Sequence, residues 1–116
     1  MKKKILFALV ILFIGIQFIR PAKNQSADAM VNDISTVYNK PNEVSAIMDK
    51  ACNDCHSNNT VYPWYAQVQP VAWWLNDHIV EGKDELNFNE FATYSIARQY
   101  KKLEEIAEEV KEDEMP

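Results

Sequence analysis

The sequence has 116 residues, of which 47% are hydrophobic and 25% charged, and a formal net charge of −5, a length that allows one small domain. All seventeen acidic residues lie after Lys23 and five of the twelve basic residues lie at or before it, so the remaining seven leave residues 24–116 at −10. A domain so charged repels nucleic acid and anionic headgroups, which excludes nucleic-acid partners and phosphate binding.

The chain opens on Lys2, Lys3 and Lys4, followed by an uncharged apolar run from Ile5 to Ile19 that ends at Arg20 and Pro21. A basic head before such a run is an export signal, and the lysines keep the N-terminus in the cytoplasm while the remainder crosses. At ~1.5 Å per residue the run spans roughly 22 Å as a helix, short of the ~30 Å hydrocarbon core. Snorkelling by Lys4 and Arg20, or local thinning of the bilayer, closes that gap. No small-x-small cleavage signal comes soon after it, the nearest being Ala27-Asp28-Ala29. The expectation for residues 1–20 is an uncleaved membrane anchor centred on residues 5–19, with a cleaved signal peptide as the alternative. The domain is then expected on the periplasmic side of the inner membrane.

Residues 21–41 are polar, with Pro21 and Pro41 at their ends. They read as a tether with a short helix over residues 28–38, where Met30, Ile34 and Val37 are weakly periodic. The domain proper is expected over residues 42–116. Pro41 starts a helix in which Val44, Ile47, Met48, Ala51 and Cys52 have the spacing of one buried face. Residues 57–69 form a polar and aromatic loop. Pro70 opens the next helix and Gly82 is expected to stop it; Val71, Trp74, Leu75, His78 and Ile79 share one of its faces. Asn87 with Glu90 three residues later resembles a capping box. It begins a last helical region through Phe91, Tyr94, Leu103, Ile106, Ala107 and Val110, interrupted near residues 95–98. Glu112, Asp113 and Glu114 oppose the negative end of a helix dipole, so this helix is expected to fray by Lys111.

With Gly82 the only glycine after the apolar run and few β-branched alternations, the domain reads as all-α. About 95 residues supply only a modest core. Five large aromatic residues fall between Tyr62 and Trp74, close to the pair of cysteines. That density points to a flat, apolar group completing the interior.

From residue 52 the sequence reads Cys-Asn-Asp-Cys-His, the attachment motif of a c-type haem. Cys52 and Cys55, one helical turn apart, reach the two vinyl groups on one porphyrin edge, and His56 supplies the proximal iron ligand. Export fits such attachment, and no third cysteine is present to compete. Three other readings compete with this one. A disulfide between cysteines three apart closes too small a loop to stabilise much. A redox pair needs a βαβ setting and a cysteine at a helix start. A zinc site needs a fourth ligand, for which only His78 is left, at an unsuitable spacing. The sixth iron position falls to Met115, whose thioether would raise the potential, to His78, or to neither. The second nitrogen of His56 needs an acceptor, expected from a carbonyl between Tyr62 and Pro70. Trp64, Trp73 and Trp74 are candidates for packing on the porphyrin, or for ordinary core.

Cys52-Asn-Asp-Cys-His-Ser57-Asn58, Tyr62-Pro63-Trp64-Tyr65, Pro70-Val-Ala-Trp73-Trp74, His78-Ile-Val-Glu81-Gly82 and Leu86-Asn87-Phe88 together resemble the bacterial haem-binding domain family of small c-type cytochrome-like proteins. The likeness covers residues 42–116 and extends to the short N-terminal membrane segment. It implies covalent haem c on Cys52 and Cys55, with His56 on the iron, and it gives Met115-Pro116 as a recurrent pair and candidate ligand. Family members run on past the Met-Pro at which this sequence stops. The expectation is therefore an all-α, cytochrome c-like domain around one haem. It carries single electrons between periplasmic or membrane redox proteins and is not an enzyme. A peroxidase-accessory or gas-sensing module with an open sixth position is the alternative.

Overall fold

The computed structural model describes residues 1–115, and among these every regular element is helical. Helix α1 spans Lys2–Ile16, α2 Asn42–Ala51, α3 Asn53–His56, α4 Val71–Glu85 and α5 Ile96–Lys111, with 3₁₀ turns at Ile34–Thr36, Trp64–Gln67 and Phe88–Thr93. Helix α1 has no buried residue and stands clear of the rest, which accounts for much of the 62 Å long axis. Expected as a membrane anchor, it is fifteen residues long, and no helix among the described residues is long and apolar enough to cross a membrane.

The remaining helices start and stop where short-range chemistry dictates. Pro41 and Pro70 sit at the N-caps of α2 and α4, where a missing N–H costs nothing. The Ser95 side chain accepts the Arg98 N–H and opens α5. The expected interruption near residues 95–98 is this cap, and α5 ends at Lys111 as the acidic tail requires. The capping box expected at Asn87 is realised as a 3₁₀ turn instead, with the Asn87 side chain accepting the Asn89 N–H. The helix expected over residues 28–38 shrinks to Ile34–Thr36, because Asp33 caps a single turn through the Ser35 N–H.

Gly82 does not stop α4, which runs on to Glu85. A Cβ at Gly82 would lie 2.5 Å from the Cys55 carbonyl oxygen, so the glycine is there to let α3 and α4 touch. On α2, Met48 and Cys52 face the core, while Val44 and Ile47 stay exposed.

The core is small. Ile34, Leu86, Phe88 and Phe91 form its centre, with Tyr38, Met48, Cys52, Tyr94, Leu103 and Ile106 packed around them. Residues 21–41, expected as a tether, lie along the domain and contribute Ile34 to this cluster. Polar side chains tie the pieces together. The Asn24 amide donates to the Ser57 carbonyl and the Thr60 hydroxyl and accepts from the Lys83 ammonium. The Asn87 amide donates to Asn58, the Asn58 N–H donates to the Asn89 side chain, and the Asn89 amide donates to the Asp33 carboxylate.

Burial by itself would raise the Asp33 carboxyl. The Ser35 hydroxyl and N–H, the Asn89 amide and the charge of Lys40 outweigh that and hold it below its ordinary value. A carboxyl depressed on folding contributes stability that is present above its unfolded value, about 4, and is lost as pH falls through the folded value. Denaturation midpoints at pH 5 and pH 3 should therefore fall less steeply with acid for Asp33→Asn than for the parent protein, although the variant starts lower at pH 5.

Candidate functional site

The cysteine motif occupies the joint between α2 and α3. Cys52 is at once the last cap of α2 and the first of α3, and its carbonyl accepts the His56 N–H at 3.0 Å. Helix α3 is one turn long and leaves its carbonyls without helical partners. Two buried hydroxyls take them, Ser57 on the Asn53 carbonyl at 2.6 Å and Thr60 on the Asp54 carbonyl. The turn that carries Cys52, Cys55 and His56 is therefore fixed by the residues just after it.

His56 is held from α4. Its Nδ1 lies 2.8 Å from the Gly82 carbonyl oxygen and 2.9 Å from that of Leu86. Two carbonyl partners require Nδ1 to carry the proton, so Nε2 is the basic nitrogen. Nε2 has no protein partner among the described residues. The acceptors come from the C-terminal end of α4 and not from the loop between Tyr62 and Pro70. The reason is the close approach at Gly82, which brings the end of α4 onto the imidazole, so that the Gly82 carbonyl accepts from Nδ1 as well as from the Leu86 N–H. Phe88 stands edge-on to the ring at 6.2 Å between centroids.

A cavity of about 290 Å³ opens beside this histidine, with Cys52, Leu86, Phe88, Ile106, Val110 and Met115 among its walls. That volume sits at the lower end of the ~300–1,000 Å³ usual for ligand sites. Its rim carries Glu85, Lys102, Glu105 and Glu109, and Lys102 pairs with Glu105 at 3.2 Å and Glu85 at 3.6 Å. Met115 reaches the cavity because the chain reverses after α5. Asp113 takes φ 58°, the left-handed turn common after a helix, and the Met115 N–H donates to the Glu109 carbonyl at 3.3 Å. The crowding of acids there pushes the Glu109 carboxyl up, chiefly through Glu114.

The sequence profile of the haem-binding domain family matches residues 11–116, nearly the whole chain. The chain belongs to this family. No curated protein and no solved structure matches it. The haem-binding domain thus places an imidazole with its tautomer set and a thioether, a pair that suits haem iron, around one apolar cavity that a half-buried thiol also lines. Burial pushes the Cys52 and Cys55 thiols up, with the Asp54 charge adding to it at Cys55. This is opposite to the lowered value of a nucleophilic redox cysteine. Among the described residues no three His, Cys, Asp or Glu side chains converge to hold a metal ion, which leaves the zinc reading without a site.

The other expected residues lie elsewhere. Cys55 is half-buried on α3 and does not line the cavity; its carbonyl and Cβ lie against Gly82. His78 is exposed on α4 and stacks edge-on with Trp74 at 4.4 Å; it does not line the cavity. Trp64 and Trp74 do not line it either, being 81% and 62% exposed, and Trp73 donates its indole N–H to the Ile19 carbonyl. Leu86 and Phe88 do line the cavity. Their signal in the sequence is the apolar alternation around Asn87, which reads more readily as core.

Replacing Gly82 by Ala forces a Cβ onto the Cys55 carbonyl. Although Ala favours a helix over Gly by up to ~1 kcal/mol, overpacking of about 1–3 kcal/mol should win. Urea denaturation of the loaded protein should show a net loss, and an unchanged midpoint would mean that α3 and α4 separate without cost.

Proposed function

We propose that this haem-binding domain holds one haem c covalently through Cys52 and Cys55, that His56 and Met115 would hold its iron, and that it serves as a one-electron carrier on the periplasmic face of the inner membrane. The observation that carries this reading is the meeting, on one apolar cavity, of Met115 and a His56 ring whose Nδ1 is committed to two carbonyls. The Cys52 and Cys55 thiols would hold the group through thioethers formed by addition to its vinyl groups, the thiol hydrogen being kept in the product, so no oxidant would be needed. Bound there, the group supplies an Fe(III)/Fe(II) couple.

The chain's own residues set the conditions for that couple. The Gly82 and Leu86 carbonyls fix the orientation and tautomer of the imidazole and leave Nε2 as the ligating nitrogen. Leu86, Phe88 and Ile106 keep water from one wall. With His56 and Met115 both holding the iron, no ligand would have to leave, which favours a carrier over an enzyme. Residues 5–19 would insert in the membrane and keep the carrier near membrane redox partners at high effective concentration. Its net charge of −10 after Lys23 suits partners with basic surfaces.

A second reading, a gas-sensing or peroxidase-accessory module with an open sixth position, draws on Met115 being 48% exposed and tied by one long backbone hydrogen bond. Carbon monoxide separates the two. The reduced protein should bind it slowly or not at all, and rapid binding would establish the open site. Intact mass after export-competent expression should show one haem added to the parent and none to a Cys52→Ser, Cys55→Ser variant. Met115→Ala should abolish the sulfur-to-iron charge-transfer band and lower the midpoint potential by on the order of tenths of a volt, within the ~0.8 V that axial ligands control. If neither changes, Met115 is not a ligand.

A further inference from the structure

Resting on the reading of α1 as a membrane-inserted helix, we infer that the aromatic loop before α4, together with the first turn of α4, is a seat in the lipid headgroup layer and sets the domain upright on the bilayer. The loop is bound to the point where α1 ends. The Gln17 side chain donates to the Gln69 carbonyl at 3.2 Å and accepts the Gln69 N–H at 2.9 Å, as a strand neighbour would. The Gln69 amide and the Trp73 indole both donate to the Ile19 carbonyl, at 2.9 and 2.8 Å. Gln69 is wholly buried by this clasp. The exit of α1 and the loop therefore form one foot.

On the side of the loop and α4 the surroundings of the clasp are apolar, aromatic and uncharged. In a protein with 25% charged residues, the twenty residues 57–76 contain none. Within them Trp64 is 81% exposed, Trp74 62% and Tyr65 50%. Exposed tryptophan and tyrosine beside an inserted helix belong at the membrane–water boundary, where the ring meets acyl chains and the N–H or O–H meets water. The length of α1 leads to the same place. Fifteen residues reach roughly 22 Å, against a ~30 Å core. A helix that short, with Lys2, Lys3 and Lys4 at its far end, is accommodated by thinning the bilayer locally and drawing the foot at its near end into the interface. Arg20 and Lys23 lie in the foot as well, Lys23 over the Tyr62 ring at 5.7 Å, and suit anionic headgroups. The acidic remainder of the domain is repelled by the same surface, so it settles on this face only.

The test uses the full, haem-loaded chain in vesicles of phosphatidylethanolamine and phosphatidylglycerol. A photo-crosslinking benzoylphenylalanine replaces Trp64, Trp74 or, as reference, Tyr100, an exposed aromatic on α5. Flotation reports insertion, and mass spectrometry after illumination reports lipid adducts. The expected result is co-flotation of all three variants, with adducts at positions 64 and 74 several-fold above those at 100. Co-flotation with adducts no more frequent at 64 and 74 than at 100 would overturn the seat and leave the inserted helix standing. Failure to float would remove the inserted helix, and the seat with it.

Discussion

Two carbonyl oxygens at the end of α4 grip the imidazole of His56, and most of the structure can be derived from that grip. The Gly82 carbonyl has a second lone pair free beside its bond from the Leu86 N–H, the Leu86 carbonyl lies just past the helix end, and both accept the Nδ1 proton. Fixing the proton there makes Nε2 the basic nitrogen and gives the ring one orientation. The arrangement is possible only if the backbone of α3 comes within van der Waals distance of α4, and the missing Cβ at Gly82 permits it. The single glycine in the domain thus sits where backbone approach is closest, although its dihedral angles are ordinary for a helix.

The parts of this molecule that are legible in the sequence are the local ones. Pro41, Pro70 and the acidic end of α5 mark helix boundaries because each acts within about one turn, through a missing N–H or a dipole. The cysteine motif is likewise contained in five residues. The acceptors for His56 are not legible, because they lie 26 and 30 residues along the chain and are backbone atoms, which no side-chain pattern announces. Gly82 is the one signal available, and it reads as a helix stop when it marks a helix contact. Trp64 and Trp74 read as interior residues because large aromatic rings usually are. The uncharged run in which they stand fits an apolar interior or an apolar environment outside the protein equally well, and only the fold separates the two.

A core this small leaves much of the specification to polar groups. Among the described residues six apolar ones are buried, and Ser57, Thr60, Gln69, Asn87 and Gln99 are buried with them. No buried side-chain nitrogen or oxygen among the described residues lacks a partner. Each of the five does a positional task. Ser57 and Thr60 finish α3, Asn87 links the loop after the motif to the 3₁₀ turn below the core, and Gln99 ties α5 to the Phe91 and Tyr94 carbonyls. Gln69 closes the clasp on α1. Apolar contact is tolerant of small slides, whereas a buried amide left without its partner costs about 1–3 kcal/mol. The polar set therefore selects one arrangement of short helices that hydrophobic burial alone would leave loosely defined.

The same logic explains why the two walls of the cavity are so unequal. The His56 side is braced by α3, α4, Phe88 and the asparagine network, and its ring has no freedom to tilt without breaking two hydrogen bonds. The Met115 side depends on one left-handed residue, Asp113, and on backbone donors reaching the Glu109 carbonyl. Left-handed backbone is strained for most residues and least so for Gly, Asn and Asp, so an aspartate can hold the turn without holding it tightly. One wall is thus fixed by the fold and the other by a few residues beyond a helix end, in a region of mutual acidic repulsion. Any chemistry that needs both walls will be governed by the weaker one.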